Sequence, residues 1–190
     1  SDEVDRLTRI VERLLVLTKL DAGGNSLKLE EVDIKMLISQ VVKKLTPIAN
    51  AKDIVIYVDN HQTEFSPILL DYDKMYEAIY NIADNAIKYS PEGGFVHIDI
   101  TADNDYLTIK IEDNGPGIPE EERDRIFERF YRLDDSRARD TGGTGLGLAI
   151  TKEAVLMHNG TIDVANVSDI GSVFTIRLPY KITIGGQNEK

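Results

Sequence analysis

Two runs, FVHIDI (95–100) and YLTIKIED (106–113), alternate apolar and polar residues with a period of two, and a turn-like ADND separates them. Successive side chains of a strand leave on opposite faces, so clean alternation of this kind specifies strands with one apolar face. So short a connection makes them an antiparallel hairpin. TIDVANV (161–167) and SVFTIRLP (172–179) form a second strand pair, IVIYVD (54–59) is a further strand, and ILL (68–70) a short one.

Helical periodicity fills the intervals. Residues 1–20 carry Val4, Leu7, Val11, Leu14 and Thr18 at spacings of three and four, widened by Ile10 and Leu17, an amphipathic stripe that fits a bundle or coiled-coil seam. The glycines of DAGGNS (21–26) end it and set a boundary near residue 25. Asp33 caps a second helix running to about Ala51, with Met36, Leu37, Val41 and Leu45 inward and Pro47 kinking or ending it. Asp71 caps a third over 72–90, which Pro91 and Gly93-Gly94 stop. A fourth runs from about Leu146 to Met157 and closes on His158-Asn159-Gly160. Between Asn114 and Thr144 periodicity fades, and a loop of that length inside a domain is functional or mobile. The tail from Lys181 is expected to be loosely ordered.

At 190 residues and 42% hydrophobic content, one main domain plus an extension is expected. A formal charge of −11 disfavours nucleic acid and anionic membranes in general, but a small anion such as a nucleotide needs only local donors. The absence of cysteine excludes disulfides and thiol chemistry and fits a reducing compartment, so cytoplasm is the expected location. No apolar run of about 18 residues and no leader pattern is present, so neither a membrane span nor a secretory signal is expected here.

Four stretches carry candidate chemistry. On the third helix Asn81, Asn85 and Lys88 recur at i, i+4 and i+7 beside the apolar face of Met75, Ile79, Ile82 and Ala86, with Tyr89 at the edge. Neutral amide oxygens suit a hydrated Mg²⁺, and an ammonium suits phosphate; a solvated helix face is the plain alternative. EDNGPGIP (112–119) ends a strand and places a carboxylate, Asp113, before Gly115 and Gly117. GGTGLGLAI (142–150) opens a helix whose free amides suit an anion, without the Lys-Ser/Thr pair of a Walker A loop. IFERFYR (126–132) pairs Phe127 and Phe130 with Arg129 and Arg132.

In order and spacing, N-I-A-D-N-A-I-K-Y-S, D-N-G-P-G-I, F-E-R-F-Y-R and G-T-G-L-G-L-A-I resemble the N, G1, F and G2 boxes of sensor histidine kinases. The resemblance covers roughly residues 33–180. It implies an α+β fold: a two-layer α/β sandwich of the kind shared with gyrase, Hsp90 and MutL, with a mixed, mostly antiparallel sheet covered by helices on one face. A catalytic ATP-binding domain would span 26–180 with a lid at about 114–144, followed by a tail at 181–190. Residues 1–25 would be the second helix of a dimerisation and histidine-phosphotransfer hairpin.

Carried over by position, the resemblance implies Mg²⁺ on Asn85, helped by Asn81, and ATP contacts from Asn81, Asn85, Lys88 and Tyr89. Asp113 would accept from the adenine amino group, with Gly115, Gly117 and Ile118 shaping the pocket. Gly143, Thr144, Gly145, Leu146, Gly147 and Leu148 would meet the phosphates at the lid's end, and Phe130 and Arg132 belong to the lid. ATP-hydrolysing relatives resemble one another in a glutamate base four residues before the metal-binding asparagine; here that position is Asn81, and an amide accepts no proton.

None of His61, His97 and His158 stands in a His-Glu-Leu-Arg-Thr-Pro-like setting, so all three are expected to be structural or solvent-facing. The resemblance therefore implies transfer of the γ-phosphoryl group to a histidine on another helix of the same kinase, for relay to a response-regulator aspartate. It also implies a homodimer and a membrane anchor through an upstream region. An ATPase of the gyrase or Hsp90 class, and a non-catalytic nucleotide-binding or dimerisation module, remain the alternatives.

Overall fold

The computed structural model describes residues 2–21, 27–132, 146–167 and 171–181; the side chains of 16–21 lie outside the description. The predicted period-two runs become β4 (Phe95–Ala102) and β5 (Tyr106–Asp113), paired antiparallel with Ile98 opposite Ile111 and Ile100 opposite Ile109. Their inward residues Val96, Ile98, Ile100, Leu107, Ile109 and Ile111 are buried. Across β5 lies β7 (Ser172–Pro179), and across β7 lies β6 (Thr161–Asn166), both antiparallel; β2 (Val55–Asn60) joins β4 on the other side in parallel. The five-stranded order β2-β4-β5-β7-β6 is the mixed, mostly antiparallel sheet that the resemblance implies.

Three helices cover the apolar face. In α2 (Ile34–Asn50) the buried stripe is Ile34, Leu37, Ile38, Val41, Leu45 and Ala49. Asp33 caps it through the N–H groups of Lys35 and Met36. Met36, expected inward, is 56% exposed, because it lies about 100° around the helix from Leu37 and off the stripe that Ile34 and Ile38 complete. Nor does Pro47 end the helix. It falls in the last turn, where it forfeits a single backbone bond, and Ala49 stays anchored as the acceptor of the Ile54 N–H.

Helix α3 (Tyr72–Tyr89) is the central element, capped by Asp71 and buried through Met75, Ala78, Ile79, Ile82, Ala83, Ala86 and Ile87. Its last carbonyls, Ile87 and Lys88, accept from the Lys52 ammonium at 3.0 and 2.7 Å, a cation at the negative end of the helix dipole. Helix α4 (Gly147–Met157) packs beside it, and the buried Thr151 hydroxyl donates to the Ala78 carbonyl. A strand that the sequence reading did not include, β1 (Leu29–Val32), pairs with β3 (Ile68–Asp71) as a separate two-stranded sheet.

The N-terminal helix α1 (Asp2–Asp21) leaves Val4, Leu7, Val11 and Leu15 more than half exposed. Among the described side chains of its stripe, Leu14 packs on Leu146 and Ile150 of the α4 region. The expected boundary near residue 25, the glycines at 142–145, the remainder of the loop from 133 and the tail beyond 181 lie outside the described residues. No helix among the described residues is long and apolar enough to cross a membrane.

Candidate functional site

The polar row of α3 is not a solvated face. Asn81 is buried, its amide donating to the Gly147 carbonyl at 3.3 Å while its oxygen accepts from both terminal nitrogens of Arg13 at 3.4 Å. One side chain therefore ties α3 to the start of α4 and to α1. One turn further on, Asn85 is half-buried and its side chain makes no hydrogen bond among the described residues. Lys88 pairs with Asp84 at 2.9 Å, and Tyr89 is 41% exposed.

At the end of β5 the alternation turns Asp113 inward, where only 5% of it is exposed. Its carboxylate accepts from the Gly115 N–H and from the Ser172 hydroxyl, each at 2.8 Å. Burial raises its pKa above the ordinary aspartate value, opposed by those hydrogen bonds. A buried carboxylate held at the mouth of a loop is a fixed acceptor for an N–H donor. Asn114 accepts from the Phe95 N–H at 2.9 Å and so pins the loop to β4.

Close backbone approaches then weld the loop to the third helix. A Cβ at Gly115 would lie 2.7 Å from the Tyr89 carbonyl, so the DNGPG stretch touches the end of NIADNAIKYS. Gly117 has φ +77°, and the following Ile118 N–H donates to Asn166 Oδ1 at 2.8 Å. Gly171 has φ +88°, its N–H donates to the Gly115 carbonyl at 2.6 Å, and a Cβ there would meet the Asp113 carbonyl.

Leu146 is buried and Leu148 half-buried at the head of α4. Among the described residues no side chain caps that head, where first-turn amide N–H groups have no acceptor within the helix. Gly147 thus meets α3 at Asn81, the Asp113–Gly115 loop meets it at Tyr89, and Asn85 lies between them along the helix. Gly143, Thr144 and Gly145 lie outside the described residues. In IFERFYR, Phe127 packs edge-on to Phe174 with centroids 6.2 Å apart and beneath Lys152, whereas Phe130 is 52% exposed with φ +64°; Arg132 is half-buried. Phe127 and Tyr131, and not Phe130, are therefore the aromatics packed against the core in this segment.

Four supporting residues escaped the sequence reading: Arg13, Asn166, Gly171 and Ser172. Only Gly171, immediately before a predicted strand, carried a local signal. Of the histidines, His158 is buried, its Nδ1–H donating to the Ala154 carbonyl and its Nε2 accepting from the Asp71 N–H, at 2.7 and 3.0 Å. Burial lowers its pKa, so it is a neutral structural imidazole.

Residues 70–182 match the family described as histidine kinase-, DNA gyrase B-, and HSP90-like ATPase. Over 183 residues the chain is 37% identical to the sensor histidine kinase WalK of Bacillus subtilis, covering 95% of this chain and 30% of that protein. It is 40% identical over 187 residues to the sensor protein kinase WalK of Staphylococcus epidermidis, covering 97% and 30% respectively. The crystal structure of full-length ShkA in complex with AMPPNP superposes with a TM-score of 0.82 at 30% identity, covering 94% of this chain and 37% of that one. The chain thus spans about a third of the relatives it matches.

Proposed function

Because this chain belongs to the histidine kinase-, DNA gyrase B- and HSP90-like ATPase family, we propose that it is the ATP-binding catalytic portion of a sensor histidine kinase. In this reading residues 26–180 form the catalytic domain, 114–144 its lid, and 1–25 the second helix of the dimerisation hairpin. The γ-phosphoryl group passes to a histidine on another helix of the same kinase and then to a response-regulator aspartate. The intact protein is a membrane-anchored homodimer whose catalytic part faces the cytoplasm.

The site residues take matching roles. Asp113 accepts from the adenine amino group, while Gly115, Gly117 and Ile118 let the base approach. The first-turn amides of α4, with Gly143, Thr144, Gly145, Leu146, Gly147 and Leu148, receive the phosphates; Lys88 and Tyr89 line the site, and Phe130 and Arg132 close it. Asn85 fits Mg²⁺, since its unengaged neutral oxygen suits a hard ion that keeps several waters. Asn81 contributes to metal or phosphate through its position one turn away. The ion supplies charge neutralisation on the transferring group.

The observation that favours phosphotransfer over hydrolysis is Asn81. It is buried, engaged at both ends of its amide, and unable to take a proton from water. Asp84, the nearest carboxylate in sequence, is held by Lys88. To test the reading, the chain is mixed with a histidine-helix fragment and labelled ATP, and Mg²⁺-dependent labelling of the fragment is expected. No labelling, together with steady phosphate release in the absence of any acceptor, overturns it in favour of an ATPase.

A further inference from the structure

The face of the sheet turned away from the helices carries a cluster that the nucleotide site does not use. Alternation along β4 sends His97 and Asp99 outward, and the parallel register places Asp59 of β2 directly opposite Asp99. One ligand atom each from Asp59, His97 and Asp99 lie within 4.8 Å of one another. His97 Nε2 sits 2.7 Å from Asp59 Oδ2. His61, just beyond β2, turns its Nε2 onto Asp99 Oδ1, and its backbone N–H is tied to the Ile100 carbonyl.

Two features distinguish this cluster from incidental surface pairs. Like charges directly opposite on neighbouring strands are destabilising, so the Asp59–Asp99 register calls for positive charge between them. The opposite charge in register with Asp99 on the other side is Lys110 of β5, an exposed residue. The second feature is Glu112, whose carboxylate lies 4.0 Å from His97 Nδ1, on the ring edge away from Asp59. At 4.0 Å Glu112 is a charged neighbour of the ring rather than a hydrogen-bond partner, and a carboxylate that closes onto a ligating imidazole orients its other nitrogen toward the metal.

We propose that Asp59, His61, His97 and Asp99 form a site for a divalent cation of the zinc class. Imidazole nitrogens select zinc-like ions over Mg²⁺ and Ca²⁺, which prefer oxygen alone. Tetrahedral ligands at about 2.0–2.2 Å from zinc stand roughly 3.4 Å apart, so Asp59, His97 and Asp99 contract by about an ångström on binding, and the exposed His61, which already reaches Asp99, swings further to complete the set. The ion staples β2, the edge strand, to β4, on the opposite face of the sheet from Asn81 and Asp113.

The test is calorimetric titration of Zn²⁺ into the whole chain without an affinity tag, with Mg²⁺ as the control ion. One saturable Zn²⁺ site is expected. Glu112→Gln should weaken it by about 10–100-fold, the usual effect of removing an outer carboxylate, and His97→Ala by more. His61→Asn, at an exposed position, repeats the test without touching the sheet. Nucleotide binding should be unchanged in all three, which also reports that they fold. Absence of saturable uptake, or uptake unchanged in His97→Ala and His61→Asn, overturns the proposal.

Discussion

Gly171→Ala, set beside Gly93→Ala, separates backbone strain from the weld that holds Asp113. Both glycines have positive φ, +88° and +78°, so each substitution costs about 1 kcal/mol in backbone strain. They differ in what the added carbon meets. At Gly93 nothing lies within 4 Å, whereas at Gly171 the new carbon would sit 2.3 Å from the Asp113 carbonyl oxygen. That neighbour is backbone of a central strand and has no rotamer to yield. Relief requires Gly171 to withdraw, breaking the 2.6 Å bond from its N–H to the Gly115 carbonyl. Losing a buried backbone pair adds about 1–3 kcal/mol.

Gly171→Ala should therefore cost about 3 kcal/mol, and Gly93→Ala about 1. For a chain of this size these are falls in Tm of roughly 6–12 °C and 2–4 °C. Thermal unfolding of the two variants against the parent measures the difference, and ATP titration supplies a second reading. Gly171→Ala should also weaken nucleotide binding, because its withdrawal releases the Gly115 carbonyl and with it the loop whose Gly115 N–H holds the Asp113 carboxylate, while Gly93→Ala should not. Equal losses of Tm, or a Gly171→Ala variant that binds ATP as the parent does, would refute the idea that this glycine positions the carboxylate.

Asp113→Asn should abolish or strongly weaken ATP binding while retaining the fold, because an amide can still accept from the Gly115 N–H and donate to Ser172; loss of the fold in circular dichroism would contradict this. Since burial raises the folded-state pKa of Asp113, ionisation opposes folding. The stabilising neutral form is fully effective below about pH 4 and is lost as pH rises through the raised value. Urea unfolding should accordingly show the Asn variant gaining on the parent from low to neutral pH. ATP affinity of the parent should fall on acidification at a pH above the ordinary aspartate range, and a flat titration would count against the acceptor role. Arg13→Ala removes two long hydrogen bonds to Asn81 and should cost about 1 kcal/mol, with faster amide exchange in α1; unaltered exchange there would sink this. Mg·ATP should slow amide exchange over 118–132, where Phe130 is exposed, and unchanged rates would exclude a closing role for that segment.

Helix existence and most boundaries were legible because caps, stripes and stops are local: Asp33, Asp71, Gly93 and Asn159 mark their elements within a few residues. The sheet was legible from its period of two, though not its order, since the parallel β2–β4 pairing depends on how the intervening helix packs. The strand β1 was missed because Leu29–Val32 is short, and its LEEV does not alternate. Met36 is apolar and next to the stripe, yet it lies about 100° off it, which apolarity alone does not reveal. At the site, the boxes point to candidate residues but not to what holds them. Asp113 depends on Ser172 and Gly171, about sixty positions on, and Asn81 on Arg13 and Gly147; such contacts leave no trace in local spacing.

The Arg13–Asn81 contact also bears on how firmly α1 is attached. Among the described side chains, Leu14 is the apolar residue of α1 packed on the body, half-buried against Leu146 and Ile150. Half-burying a leucine contributes on the order of 1 kcal/mol, and a 3.4 Å hydrogen bond pair no more than that again. Four other large apolar residues of the helix remain more than half exposed. The contacts made by the described side chains thus total about 2 kcal/mol, and Val4, Leu7, Val11 and Leu15 stay available to an apolar partner, as the proposed dimerisation hairpin requires. Moreover, the bond that yields when α1 shifts ends on Asn81, whose amide also holds the carbonyl at the head of α4.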